Sequence, residues 1–319
     1  MTCRTGWLAL IAFAIASGGA HAAEIVYADG RHEAVADPRK DGKGQWLATI
    51  EGRRTVLRPG EVVVIVDDAG AETVTIPALA EPPDPPETAA ALASLRDPKN
   101  DAWQQAAEQL ARRPTRALLD SLAALGKEKD KELRRRGVTA LARLRTKESV
   151  EAAAAAVLAE KDAALRRDLA SVLFSVQEIF RRADTAASVQ AGVADKDAIV
   201  RVVFASLSPR DSAPAVAVLK ADGLGSADHH VRESAAMELG HRGDASGESV
   251  LVSMLARTTM PGFHDDPALG ERVLVREQVE VCAILGKLGT ATGKAALEKA
   301  KSSKFEAVRK AAEAALAAK

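Results

Sequence analysis

The chain has 319 residues, 44 basic side chains against 44 acidic, six histidines, two cysteines and 3% aromatic residues. Balanced charge leaves no basic footprint for nucleic acid, and the length suffices for a core held by packing alone. Cys3 falls in the amino-terminal segment, so Cys282 stands alone in the rest of the chain and has no internal partner for a disulfide.

Arg4 precedes an apolar run over 7–16, followed by Ser17-Gly18-Gly19 and Ala20-His21-Ala22. A positive start, a short apolar centre and small residues before Ala23 are the pattern of a secretory signal. Ten residues of helix reach about 15 Å, half of a hydrocarbon core about 30 Å thick. The expectation is a cleaved signal over 1–22 and an exported protein, periplasmic or extracellular, with no transmembrane segment after cleavage.

Residues 23–80 read as short strands (24–27, 31–36, 46–50, 53–57, 61–66) separated by the turn dipeptides Asp29-Gly30, Glu51-Gly52 and Pro59-Gly60. The turn spacing resembles the SH3-like or Sm-like modules that precede helical repeats in some exported bacterial proteins. That resemblance implies a small all-β unit. Residues 81–88 follow as an acidic linker, Glu81-Pro82-Pro83-Asp84-Pro85-Pro86-Glu87, in which the prolines remove backbone donors and favour an extended spacer.

From 89 to 319 the composition turns to alanine, leucine, valine and charge, with helical spacing. A phrase recurs there: an acid, two variable positions, an apolar residue, then arginine. It reads Asp130 with Leu133-Arg134, Asp162 with Leu165-Arg166, Asp197 with Val200-Arg201 and Asp228 with Val231-Arg232, in weaker form Asp101 with Trp103-Gln104, and without the acid Val275-Arg276 and Val308-Arg309. The apolar positions are separated by 30, 32, 35, 31, 44 and 33 residues. Such a period signals stacked repeats. The aspartate suits a helix start, where a cap contributes about 0.5–2 kcal/mol. The apolar residue opens a stripe, as in Leu133, Val138, Leu141 and Leu144. A second apolar segment, such as 150–158 or 250–255, makes two helices per unit.

Few aromatics and no Thr-Pro-Leu-His turn argue against tetratricopeptide and ankyrin repeats. The phrase and its alanine-rich helices resemble HEAT repeats, especially the short subtype found in phycobilisome lyases, over about 230 residues. The resemblance implies a mainly α fold, an armadillo-like α-solenoid of about seven helix pairs. It also implies a structural ladder in which the arginine of one unit pairs with the aspartate of the next: Asp130, Asp162, Asp197 and Asp228 with Arg134, Arg166, Arg201 and Arg232.

Two irregularities stand out. Pro209 requires the helix after Asp197 to stop near Ser206-Leu207-Ser208. The interval of 44 marks an insertion at 258–267, where Met260, Phe263 and His264 are candidates for partner contact. His264, Asp265 and Asp266 with His229 and His230 form a candidate metal set. Against it, His230 and His241 lie about 16 Å apart along one helix, and exposed histidines at helix ends account for the same residues. Arg112-Arg113, Arg134-Arg135-Arg136, Arg166-Arg167 and Arg181-Arg182 are readable either as an anion-binding stripe or as solvated helix flanks. Cys282, in an apolar run, reads as a core residue.

For function, the repeat reading favours a non-enzymatic scaffold or adaptor that binds a protein partner, without cofactor and without nucleic acid. The alternative is a HEAT-like enzyme or metal-dependent protein with its site near 258–267. Within the resembled family, phycobilin lyases act on cytoplasmic pigment proteins, which the signal opposes. Hydroxylases of the deoxyhypusine type use His-Glu pairs in their repeats, and the sole such pair here, His32-Glu33, lies in the β segment. HEAT-like DNA glycosylases need a basic, aromatic-bearing face.

Overall fold

The computed structural model describes residues 87–97, 99–182, 186–262 and 267–318, Leu79, and the backbone of six strands between 22 and 74. At 178, 181, 182 and 186 also, only the backbone is described. The strands are β1 Ala22–Tyr27, β2 His32–Lys40, β3 Trp46–Ile50, β4 Arg53–Leu57, β5 Val62–Val66 and β6 Glu72–Val74. They pair antiparallel in the order β4-β3-β2-β1-β5-β6. The apolar run at 7–16, the turns between strands and the linker prolines lie outside the described residues.

Fifteen α-helices follow: α1 Glu87–Arg96, α2 Trp103–Ala111, α3 Arg116–Leu125, α4 Lys131–Leu144, α5 Lys147–Ala159, α6 Ala163–Val172, α7 Gln177–Arg182, α8 Ala186–Val193, α9 Ala198–Leu207, α10 Ala213–Val218, α11 His229–His241, α12 Glu248–Leu255, α13 Pro267–Leu288, α14 Ala291–Ala300 and α15 Glu306–Ala317. A 3₁₀ turn, Leu173–Val176, joins α6 to α7, and a π turn, Leu219–Gly223, continues α10. The chain divides between Asp195 and Lys196 into two compact bodies, a boundary the sequence does not signal.

Each body repeats one packing rule. In the first, α4 packs on α5, on α2 before it and on α6 after it, while α5 packs on α3 and α8. In the second, α9, α11, α13 and α15 touch in succession, and α12 packs on α14 as well as on α11 and α13. First helices therefore lie against first helices and second against second, with the core between the two layers. In the second body that core includes Ala236, Leu251, Val281, Cys282, Leu285, Leu297 and Ala312. Among the described residues no helix is long and apolar enough to cross a membrane.

The helix starts follow a chemical alternation. First helices are capped by aspartate: Asp130 accepts from the N–H groups of Glu132 and Leu133, Asp162 from Leu165, Asp197 from Ile199 and Val200, and Asp228 from His230. Second helices α3, α5, α10 and α14 are capped by hydroxyls, Thr115, Thr146, Ser212 and Thr290, whereas α12 starts after Gly247 without a side-chain cap. Thr115 and Thr146 are fully buried. A carboxylate there would lose its hydration, whereas a hydroxyl caps the same donors without carrying charge inside.

Several expectations need correction. Asp101 caps nothing, because α2 starts after Ala102 without a side-chain cap. An additional helix, α1, precedes that phrase and takes in Glu87 and Thr88, which the linker reading placed outside the repeats. The insertion lengthens a helix as well as a loop: α13 begins at Pro267, eight positions before Val275, and runs 22 residues. The fixed φ of proline suits the first helical position. The missing acid before Val275 follows, since no helix starts there. Among the described residues, α15 is followed by no further helix. The helix after Asp197 does end at Leu207, and Ser208 Oγ returns to the Phe204 carbonyl at 2.9 Å.

Close helix approach depends on glycine at several crossings, Gly137 and Gly286 among them. A Cβ on Gly137 of α4 would lie 2.6 Å from the Gly126 nitrogen, and one on Gly286 of α13 would lie 2.7 Å from Ala315 Cβ. Helix propensity alone favours Gly137→Ala by about 1 kcal/mol, but here rigid backbone blocks the added methyl. Gly137→Ala is therefore expected to destabilise the chain by about 1–3 kcal/mol, read as a lower urea midpoint at unchanged slope. A higher midpoint would show that α3 and α4 are not in such contact.

Candidate functional site

The arginines of the repeating phrase fold back onto the loop that precedes their own helix. Arg134 Nη1 donates to the carbonyls of Glu128 and Lys129, both at 2.9 Å. Arg201 Nη1 donates to Lys196 O at 3.1 Å, and Arg232 Nη1 to Ser226 O and Ala227 O at 2.6 and 2.8 Å. Arg309 does the same to Ser303 and Lys304 although its helix has no acidic cap. The remaining edge of the guanidinium reaches the end of the second helix of the same pair. Arg134 takes Glu160 (2.6 and 3.3 Å), Arg201 takes Asp222 (2.7 and 2.9 Å), and Arg166 lies 3.7 Å from Asp195.

This replaces the expected ladder. The phrase aspartates are helix caps, and the acids facing Arg134, Arg166 and Arg201 are Glu160, Asp195 and Asp222. Distance explains it: an arginine one turn inside its helix lies over the loop closing its own pair. The cross-pair contact to Asp162 comes from Lys131 instead. Burial acts to raise Glu160, but the Arg134 hydrogen bond and neighbouring backbone N–H groups outweigh it and hold the carboxyl below its ordinary value. Asp162 is likewise held low, chiefly by the Leu165 N–H and then by Lys131.

The basic run 134–136 is engaged in such contacts. Arg135 pairs with Glu132 and Asp168, and Arg136 donates to Glu132 and to Asp97 O beyond α1 while lying 5.3 Å from the Trp103 ring centre. Arg242, with its side chain 1% exposed, pairs with Glu238 and donates to the carbonyls of Ala205, Ser208 and Pro209, closing the end of α9. The side chains of Arg181 and Arg182 lie outside the described residues.

At α11 the closure inverts. Here the first helix carries the acid, Glu233, and the end of the second supplies the base, Arg257. A further carboxylate, Glu277 of α13, approaches the same guanidinium, with Oε2 3.8 Å from Arg257 Nη1. That Oε2 is buried and takes no hydrogen bond among the described residues. Burial, then the Glu233 charge, push the Glu277 carboxyl up to about 7 against the pull of Arg257. Nearby, the rings of His229 and His230 stack with centroids 3.8 Å apart, and His229 Nε2 is buried without a partner among the described residues. Burial and the His229 charge lower His230. His241 Nε2 lies 2.9 Å from Glu280 Oε1.

Met260 is half-buried with its sulfur 3.7 Å from Arg257 Nη1, while Phe263, His264, Asp265 and Asp266 lie outside the described residues. Among the described residues, no three His, Cys, Asp or Glu side chains gather closely enough for a metal ion. Cys282 is buried in the core, and burial pushes its thiol up to about 12. A depression of about 310 Å³ opens at the starts of α9 and α11, walled by Ala198, Ile199, Ala221, Asp222, Gly225 and Val231.

No protein-family model matches the chain, and no curated protein matches it. Solved structures with a similar arrangement include an engineered protein, 19% identical over 62% of this chain and 94% of that one, at a TM-score of 0.40. A designed armadillo repeat protein is 18% identical over 71% of this chain and 97% of its own, at 0.32. Human deoxyhypusine hydroxylase in complex with glycerol is 16% identical over 72% and 94%, at 0.28.

The sign of the Glu277 effect is fixed by its direction. A carboxyl raised in the folded chain keeps a proton that the unfolded chain releases, so its contribution favours folding at low pH. It is lost as pH rises from about 4.5 to about 7. Glu277→Gln is expected to match the parent near pH 5 and to exceed it by about 1–3 kcal/mol at pH 8, measured by urea unfolding. A stability difference independent of pH would contradict this environment for Glu277.

Proposed function

We propose that the chain is a non-enzymatic scaffold or adaptor that binds a protein partner through the surface of its helix pairs. The observation that carries this reading is the use of the phrase: its aspartates cap and its arginines close each pair. The repeated charged residues thus build the framework, and the exposed helix faces repeat in register for contact. The reading includes export by the amino-terminal segment to the periplasm or exterior, with the 23–80 segment, SH3-like or Sm-like, as a second contact or a cap. Met260 and its neighbours Phe263 and His264 are the contact residues it puts first.

A second reading, a metal-dependent or catalytic site beside 258–267, draws on the His229 Nε2 atom. The two readings part in one experiment. The purified chain and a Met260→Asp variant are used for affinity capture from envelope extracts, and each captured protein is then titrated in purified form. The scaffold reading expects saturable binding at micromolar or tighter Kd, weakened at least about tenfold, or 1.4 kcal/mol, by Met260→Asp. Absence of any such binder, together with stoichiometric zinc or nickel uptake or substrate turnover, would overturn it.

A further inference from the structure

Side chains from three successive elements meet where α12 gives way to the segment before α13. Glu233 of α11 is 8% exposed and ion-paired to Arg257. Arg257 Nη1, which reaches Glu233 Oε2 at 3.4 Å, also lies 3.8 Å from Glu277 Oε2, an atom that is buried and accepts no hydrogen bond among the described residues. The residue after Glu277 grips the same place from the backbone side: Gln278 Nε2 donates to Leu255 O at 2.9 Å and to Arg257 O at 2.8 Å. Gln278 is 3% exposed, so α13 presents both a titratable carboxyl and a fixed amide to the single turn that ends α12.

One cation confronts two carboxylates. With both ionised, the cluster carries a net charge of −1 in a partly buried setting, and the Nη1–Nη2 edge that Glu233 occupies cannot serve both carboxylates in bidentate form. The other charges around Glu277 do not resolve the conflict. Arg276 on its own helix opposes Glu280, which is engaged with His241. On α14, α15 and the loop between them, Glu298 pairs with Lys301, Lys304 with Glu271 of α13, and Glu306 with Lys310.

We propose that Glu233, Arg257 and Glu277 form a proton-operated latch that fastens residues 255–262 to α11 when Glu277 is protonated and loosens them from it when Glu277 is ionised. Protonated, Glu277 is neutral and leaves Arg257 to Glu233. Ionised, its proton passes to water and the two carboxylates compete for Arg257. That draws the guanidinium off α11 and strains the Gln278 hydrogen bond to the Arg257 carbonyl. Met260, in contact with Arg257, moves with it. The raised Glu277 carboxyl places the change around neutral pH. The latch does not depend on the protein-binding reading.

The test is hydrogen exchange of the full chain at pH 6 and pH 8, corrected for intrinsic rates and followed in peptides covering 251–262. Protection is expected to fall at least roughly tenfold at the higher pH. Glu277→Gln should remain protected at both. Glu233→Gln, which removes the competing carboxylate and the ion pair to α11, should abolish the pH response of these peptides. Equal protection of the parent at both pH values, or an unchanged pH response in Glu277→Gln, would overturn the latch.

Discussion

The contact on which the helix pairs depend is the arginine of the repeating phrase, four residues beyond the capping aspartate in α4, α9 and α11. Its position places the guanidinium over the loop that precedes the helix, where carbonyls lie beyond the reach of regular helical hydrogen bonds. A planar fork satisfies two of these carbonyls with one nitrogen and a carboxylate with the others, as Arg134 does, and Arg201 joins one carbonyl and a carboxylate in the same way. A lysine ammonium has no such geometry. Loop, first helix and second-helix end are fastened at one point, and the apolar stripes are held in register for the next pair.

The caps divide the remaining work between first and second helices. Aspartate stands at first-helix starts, where it interacts with the positive helix end, and hydroxyls serve at second-helix starts, including the buried Thr115 and Thr146. The pair formed by α11 and α12 departs from this plan because its closing charges are exchanged, Glu233 for the arginine and Arg257 for the acid. The exchange leaves Arg257 next to the extended α13, which brings Glu277 against it. A titratable conflict arises where the repeat is least regular.

Much of the helical architecture was legible because the signal was local. Aspartate, apolar residue and arginine at fixed spacing mark a helix start whatever the helix packs against, and Pro209 ends α9 by a covalent constraint. Pairing was less legible. Asp162 and Glu160 are both acids near Arg134 in sequence terms, and only the path of the chain selects Glu160. The hydroxyl caps were present as Thr115, Thr146, Ser212 and Thr290 but lie among many similar residues without a repeating phrase. The Glu233–Arg257–Glu277 cluster had no sequence signal, since its members are 24 and 20 residues apart and each resembles an ordinary surface charge. The extra length at 258–267 pointed to the right neighbourhood, while its contribution to α13 depends on the helix-compatible Pro267.

The most direct test of this account is a double-mutant cycle in the second body, with Arg201→Gln, Asp222→Asn and Asp228→Asn made singly and in pairs and read by urea unfolding. Closure of each pair by its own arginine predicts a coupling of about 0.5–3 kcal/mol between Arg201 and Asp222, and additivity within about 0.5 kcal/mol between Arg201 and Asp228. Coupling to Asp228 larger than coupling to Asp222 would contradict it and restore a ladder running from each pair to the next.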